Sequence, residues 1–166
     1  VVKGNAGAGI SAGGKVINNV VCGNYTGIEC QPFALILNNT ITSNAYLGLY
    51  FLDYVAVYNN IIAFNGYGIS SGFSEVNPQL RNNCIYGNSQ ADYLYIKNYT
   101  GIWGNISVDP LLTSTAFGDV HIQPGSPCID AGDSTQVEKK VLDMDGQARV
   151  IGLGVDIGAD ESDGTE

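Results

Sequence analysis

The sequence predicts an all-β chain wound into stacked coils of about 21 residues each, followed by an irregular acidic segment. Three observations carry this expectation. Paired asparagines recur at Asn18-Asn19, Asn38-Asn39, Asn59-Asn60 and Asn82-Asn83. Each pair is followed by a further asparagine, at Asn24, Asn44, Asn65 and Asn88. Finally, the net charge of -9 is carried entirely by residues after 108, while all 16 asparagines lie at or before Asn105.

The repeat comes first. The intervals between pairs are 20, 21 and 23 residues, and apolar residues recur in step with them, as Val16/Ile36/Val57/Leu80 and Val21/Ile41/Ile62/Ile85. A glycine followed by an aliphatic residue recurs at Gly9-Ile10, Gly27-Ile28, Gly48-Leu49 and Gly68-Ile69. Helical repeats are usually longer, about 33 residues or more, and a leucine framework is absent. The short segments rich in branched residues, such as Lys15-Val16-Ile17-Asn18, read as strands. Asparagine tolerates the left-handed backbone of a sharp bend, and its amides can stack in a hydrogen-bonded ladder at the ~4.8 Å spacing of neighbouring strands. The two apolar columns are then expected inside the coil. Tyr46, Tyr50, Tyr54 and Tyr58, spaced four apart, would also suit a helical stripe, but the register places Tyr46 over Tyr67 and favours stacking between coils.

This pattern resembles the right-handed parallel β-helix family, over residues 5 to about 94. The resemblance implies a right-handed single-stranded parallel β-helix of about four to five coils. The family includes pectate lyase-like and polygalacturonase-like enzymes, adhesins and proteins without assigned activity, so it does not choose an activity.

In the tail the order Asp109-Pro110-Leu111, Gly118-Asp119-Val120-His121, Gly125-Ser126-Pro127-Cys128-Ile129-Asp130-Ala131-Gly132, Asp143-Met144-Asp145-Gly146-Gln147-Ala148-Arg149 and Asp156-Ile157-Gly158-Ala159-Asp160-Glu161 is similar to the C-terminal module of large secreted bacterial β-helix proteins. That resemblance implies an extracellular or cell-surface location and a context of glycan use. Residues 1–104 are thus read as the coils and 105–166 as an acidic capping segment of the same domain, expected to cover the open end of the solenoid. Arg149 among Asp143, Asp145, Asp156, Asp160 and Glu161 points to structural ion pairing. The alternative is calcium held by Asp143, Asp145 and Asp156, although the longer acidic series of a calcium loop is missing.

Catalytic constellations are sparse. His121 is the only histidine, and a hydrogen-bonded structural role is weighed against that of a base. A lyase of the pectate type needs a Lys or Arg base beside calcium-binding carboxylates, yet Lys15 aligns with Leu35, Ala56 and Gln79. A hydrolase needs neighbouring carboxylates, and Asp53 and Asp92 fall in different units without a common offset. Aromatic rings stack on the apolar faces of sugars. Tyr46, Tyr50, Tyr54, Tyr67, Tyr93 and Trp103 are the candidate glycan-binding residues, with Phe51 and Tyr95 nearby; packing within or between coils is their alternative role. The cysteines, Cys22, Cys30, Cys84 and Cys128, fit no CxxC metal spacing. Cys84 is expected near Cys128, and Cys22 with Cys30 is the other pairing considered, beside free buried thiols.

The acidic balance disfavours nucleic acid, and Asp53 splits the longest apolar stretch, so no membrane span is expected. The opening Val1-Val2-Lys3-Gly4 reads as the middle of a longer chain. The leading functional expectation is the C-terminal part of an extracellular β-helix protein, acting as a surface or glycan-binding scaffold without catalysis of its own. The alternative is a fragment of a polysaccharide lyase or glycoside hydrolase whose catalytic coils lie upstream. Self-association through an exposed first coil is a third expectation.

Overall fold

The computed structural model describes residues 1–73, 76–115, 118–138 and 140–165. Among the described residues, fourteen short strands form the coils: β1 (Val2–Lys3), β2 (Ala8–Ala12), β3 (Lys15–Ile17), β4 (Val20–Cys22), β5 (Thr26–Cys30), β6 (Leu35–Leu37), β7 (Thr40–Thr42), β8 (Leu47–Phe51), β9 (Ala56–Tyr58), β10 (Ile61–Ala63), β11 (Tyr67–Ser71), β12 (Gln79–Arg81), β13 (Cys84–Tyr86) and β14 (Ala91–Leu94). Consecutive strands enter different sheets. One five-stranded sheet runs β1-β4-β7-β10-β13, a second runs β2-β5-β8-β11-β14, and a four-stranded third runs β3-β6-β9-β12. Every pairing in these sheets is parallel, so each strand's neighbours lie one turn away and the chain is a parallel β-solenoid of about four coils. No helix among the described residues is long and apolar enough to cross a membrane.

The expected columns are in register. Val16 faces Ile36, Ile36 faces Val57, and Val57 faces Leu80 in the third sheet. Val21, Ile41, Ile62 and Ile85 line up in the first sheet, and Ile10, Ile28, Leu49 and Ile69 in the second. These columns meet in one core, joined at its last turn by Tyr99 and by partly buried Tyr93, Ile96 and Ile102. The tyrosines spaced four apart lie in and around β8 and β9, not on a helix.

The paired asparagines divide the labour. The first of each pair takes a left-handed backbone, with φ of 57°, 52°, 54° and 48° at Asn18, Asn38, Asn59 and Asn82. The second builds a buried ladder. The backbone N and Nδ2 of Asn39 donate to Asn60 Oδ1, both at 2.9 Å, and Asn60 does the same to Asn83 at 3.0 Å. Each Nδ2 also reaches a carbonyl of the preceding coil, as Asn60 does with Ile36 O at 2.9 Å. A parallel ladder runs Asn5, Asn24, Asn44, Asn65, Asn88. It ends on Asp92, whose carboxylate accepts from Asn88 Nδ2 at 2.8 Å. A carboxylate accepts without needing to donate onward, which suits a terminal rung.

Asn105, read from sequence as the first tail residue, is the fifth rung of the first ladder: its Oδ1 accepts from Asn83 N at 3.1 Å and Nδ2 at 2.9 Å. Gly104 before it stands at the bend with φ 76°, where earlier coils carry asparagine. A Gly-Asn pair therefore replaces Asn-Asn, since glycine adopts that backbone without a side-chain clash. The recurring Gly-aliphatic motif has a different cause. A Cβ on Gly27 would sit 2.4 Å from Gly48 O and 2.7 Å from Ile41 Cγ2, so only glycine lets successive coils approach there.

The described part of the tail packs along the side of the coils. It forms a two-stranded antiparallel ribbon of β15 (Leu112–Ser114) and β16 (Asp119–Ile122) and then runs along the outer face of the first sheet. Val120 and Ala159 pack on Val20 and Cys22, while Ile122, Cys128 and Ile157 pack on Ile61, Ala63 and Cys84. The reason is in the strands themselves. Val20-Val21-Cys22 and Ile61-Ile62-Ala63 are apolar throughout, so both faces of this sheet need cover. The outward amides at the bends hold the tail: Asn38 Nδ2 donates to Asp156 O at 3.1 Å, Asn82 Nδ2 to Ala131 O at 3.0 Å, and Asn59 exchanges two bonds with Asp133.

Candidate functional site

Two surfaces gather functional groups, one on the coils and one on the tail. On the outer face of the second sheet, Glu29 of β5, Tyr50 of β8 and Ser70 of β11 are register partners and stand one above another. Exposed Tyr25 and Tyr46 flank this column at the bend before each strand, with ring centroids 5.4 Å apart in a stacked pair. Together with Tyr95, which is 66% exposed, they line an open groove of about 420 Å³. Its walls are apolar rings and its floor offers hydroxyls and one carboxylate, Glu29.

The sequence candidates distribute unevenly over the molecule. Tyr46 and Tyr50 line the groove. Tyr67 meets Tyr46 edge-on at 5.8 Å, although its strict backbone partner is Leu47, because the segment after Asn44 holds one residue more than that after Asn65. Tyr54 packs instead against Phe33, 6.0 Å away at the following corner. Tyr93 lies in the inward column with Ile69, and burial raises its phenol to about 12. Phe51 is fully buried. Trp103 sits at the last corner under the Arg81 guanidinium, 5.8 Å from its ring, and beside Tyr99. Sequence reasoning missed Tyr25. Its signal was present in Asn24-Tyr25, since the ladder asparagine is followed by a tyrosine in three successive coils, with a spacer of one residue in the second and third.

The second surface is an acidic cleft of about 540 Å³ on the tail, lined by His121, Asp145, Asp160 and Asp163 among others. Alternation along β16 puts Asp119 and His121 outward and Val120 and Ile122 inward. His121 Nδ1 lies 2.5 Å from Asp119 Oδ1, and Nε2 lies 2.8 Å from Asp145 Oδ2. Burial lowers the His121 pKa, but the hydrogen bonds to the two aspartates outweigh it and the net direction is upward. The same histidine holds the Asp119 carboxyl below its usual range. Asp160 accepts from Ile122 N at 2.9 Å, and burial raises it to about 6.

Asp143, Asp145 and Asp156 are not grouped as one ligand set among the described residues. Asp143 accepts from the amides of Asp145, Gln147 and Glu161, and Asp156 from those of Asp130 and Ser162. Their oxygens shape the tail backbone. Asp145 instead joins His121 and Asp160, whose ligand-type atoms lie within 4.8 Å of one another. That mixed nitrogen and oxygen set is the arrangement among the described residues that could hold a divalent ion. Arg149, buried beneath, pairs with Glu161 at 2.9 Å and donates to the carbonyls of Ala159 and Gly158, both at 3.0 Å. Burial raises the Glu161 carboxyl to about 8 against the pull of Arg149.

No protein-family model, no curated protein and no solved structure matches the chain, so the reading of these surfaces rests on their geometry.

Proposed function

We propose that the chain is a non-catalytic, glycan-binding scaffold, part of an extracellular pectate lyase-like β-helix protein whose second-sheet face holds a neutral oligosaccharide. The observation that supports this reading is the row of tyrosines, exposed Tyr25, Tyr46 and Tyr95 with half-buried Tyr50, along one groove with polar groups between them. A sugar chain presents apolar C–H faces with hydroxyls at their edges, so spaced rings with Glu29 and Ser70 between them complement it. A neutral ligand is favoured because Glu29 would repel a uronate. Glu29 is also the one carboxylate lining the groove among the described residues, whereas paired-carboxylate hydrolysis needs a second within about 10 Å.

The test is affinity electrophoresis of the chain through gels containing xylan, mannan or a β-glucan. Retardation in at least one gel is expected, and Tyr46→Ala or Tyr50→Ala should weaken it roughly fivefold each, about 1 kcal/mol per ring. Unretarded migration in every gel, or variants that migrate as the unmodified chain does, would refute the proposal. Release of reducing ends or unsaturated products from the retained polysaccharide would replace it with the enzyme reading.

A further inference from the structure

We propose that Cys84 and Cys128 form a disulfide site, closed by exchange with a small-molecule disulfide, that fastens the tail to the wall of the solenoid. Cys84 opens β13 and lies in register with Ile61, one coil away, on the outward side of the first sheet. That is the side the tail covers. Cys128 lies in the covering segment, where its backbone O accepts from Ile157 N at 3.0 Å and its N donates to Ser126 Oγ at 3.1 Å. Both thiols are fully buried and belong to one small apolar cluster with Ile61, Ala63, Ile122 and Ile157.

Cys84 Sγ–H donates to Val108 O at 3.2 Å, and the Cys84 and Cys128 thiols share one buried cluster at the seam between the first sheet and the tail. The other two cysteines are placed differently. Cys22 lies on the outward side of β4, in the cluster with Val120, whereas Cys30 points into the coil core, where burial raises its thiol to about 12. They stand on opposite sides of the coil wall and do not share a cluster.

Bond formation balances as two exchange steps. One protein thiolate attacks a sulfur of oxidised glutathione, forming a mixed disulfide and releasing one glutathione thiolate. The second protein thiolate then attacks the protein sulfur of that mixed disulfide and releases the other. In total, two protein thiols and one glutathione disulfide become one protein disulfide and two glutathione thiols. The docked tail protects the pair, since Cys84 and burial push the Cys128 thiol well above the ordinary range and neither sulfur faces solvent. Exchange therefore proceeds when the tail lifts, and the bond then holds the tail down once it has returned. The site is a latch: reduced, it permits opening of the tail from the first sheet; oxidised, it forbids it.

The experiment treats the full chain with oxidised glutathione in mild denaturant, followed by return to buffer. Thiols are titrated after full unfolding, and non-reducing peptide maps identify the linkage. Of the four thiols in the chain, two are expected to disappear, in a peptide pair carrying Cys84 and Cys128. The oxidised chain should melt roughly 5 °C higher, a difference erased by dithiothreitol. Cys30→Ala should leave both the linkage and the shift intact, and Cys84→Ser should abolish both. Four remaining thiols, or a linkage through Cys22 or Cys30, would overturn the proposal. A Cys84→Ser chain too unstable to purify leaves the test to the peptide map of the unmodified chain, which decides alone.

Discussion

Coils and tail bury polar groups by opposite means. Among the described coil residues the buried polar side chains are amides and hydroxyls, among them Asn39, Asn60, Asn83, Thr40 and Ser71. In the tail they include Asp143, Arg149, Asp156, Asp160 and Glu161. An amide both donates and accepts, so a stack of identical amides satisfies itself indefinitely, and one solution serves every turn. A carboxylate only accepts, so each one in the tail needs its own donors, drawn from nearby backbone or from Arg149. The coil is consequently periodic, and the described residues of its interior are uncharged. The tail is aperiodic, and its buried polar groups include titratable ones.

Breaking a ladder should have the largest effect. Asn60→Ala removes the acceptor of Asn39 N and Asn39 Nδ2 in a site with no solvent exposure. Two orphaned donors and the lost packing should destabilise the chain by about 4 kcal/mol. In thermal denaturation that is a melting point lower by roughly 8–16 °C, with coil and tail unfolding together. A drop below a few degrees would mean that the ladder is dispensable.

Arg149→Met comes next, and it should separate the two regions. Removing one partner of a buried pair typically costs about 3–5 kcal/mol. Here about 3 kcal/mol is expected, because the tail can lift and hydrate Glu161 and Asp156 while the coils persist. Amide exchange should accelerate through residues 143–161 and stay slow at Ile62 and Ile85. Equal acceleration in both would show that coil and tail are a single cooperative unit.

Acidity should divide them as well. Asp160 is raised to about 6 and Glu161 to about 8 by burial, so each binds its proton more tightly folded than unfolded. Such groups stabilise the fold fully below their unfolded values of about 4, and that stabilisation fades as pH rises toward the folded values. His121, raised by its aspartates, likewise stabilises at low pH and loses its contribution as pH climbs through its folded value. Asp119, held down by His121, acts oppositely and fails only in stronger acid. Proteolysis of the tail is therefore expected to quicken between pH 5 and 8, while the coils, whose ladders are amides, resist equally at both. A tail that is cleaved more slowly at pH 8 would reverse the assignment.

The same contrast explains what the sequence reveals. Coil contacts join equivalent positions about one repeat apart, so packing leaves a rhythm in Val16, Ile36, Val57 and Leu80 and the whole solenoid is legible. The rhythm hid its two ends, Asn5, which has no paired neighbour, and Gly104-Asn105, which replaces a pair of asparagines. Tail contacts carry no period. Asn38 meets Asp156 across 118 positions, and nothing near either residue marks the other. The path of the tail was nonetheless encoded in Val20-Val21-Cys22 and Ile61-Ile62-Ala63, whose unbroken apolar runs imply a sheet covered on both faces. The groove was half visible for a related reason. Tyr46 and Tyr67 share an offset from their ladder asparagines, whereas Tyr25 follows Asn24 directly.

The smallest expected effect is the most discriminating, because it acts at the seam between the regions. Asn59 has two separable duties: its backbone takes φ 54° at the bend, and its side chain exchanges hydrogen bonds with Asp133 N at 2.8 Å and Asp133 O at 3.2 Å. Asn59→Gly preserves the first duty, as Gly104 does at the equivalent bend, and removes only the second. Asn59 is fully buried but Asp133 is partly exposed, so water can reach the freed Asp133 groups and the loss should be about 1 kcal/mol. Amide protection should fall around Asp133 and remain unchanged at Ile61 and Ile62 one and two residues beyond the ladder. Asn59→Ala adds the strain of a left-handed non-glycine backbone, about 1 kcal/mol more, and that increment belongs to the coil. If the glycine variant were as unstable as the alanine variant, the recurrence of the bend asparagines would rest on the tail contacts that Asn18, Asn38, Asn59 and Asn82 all make, and not on their left-handed backbone.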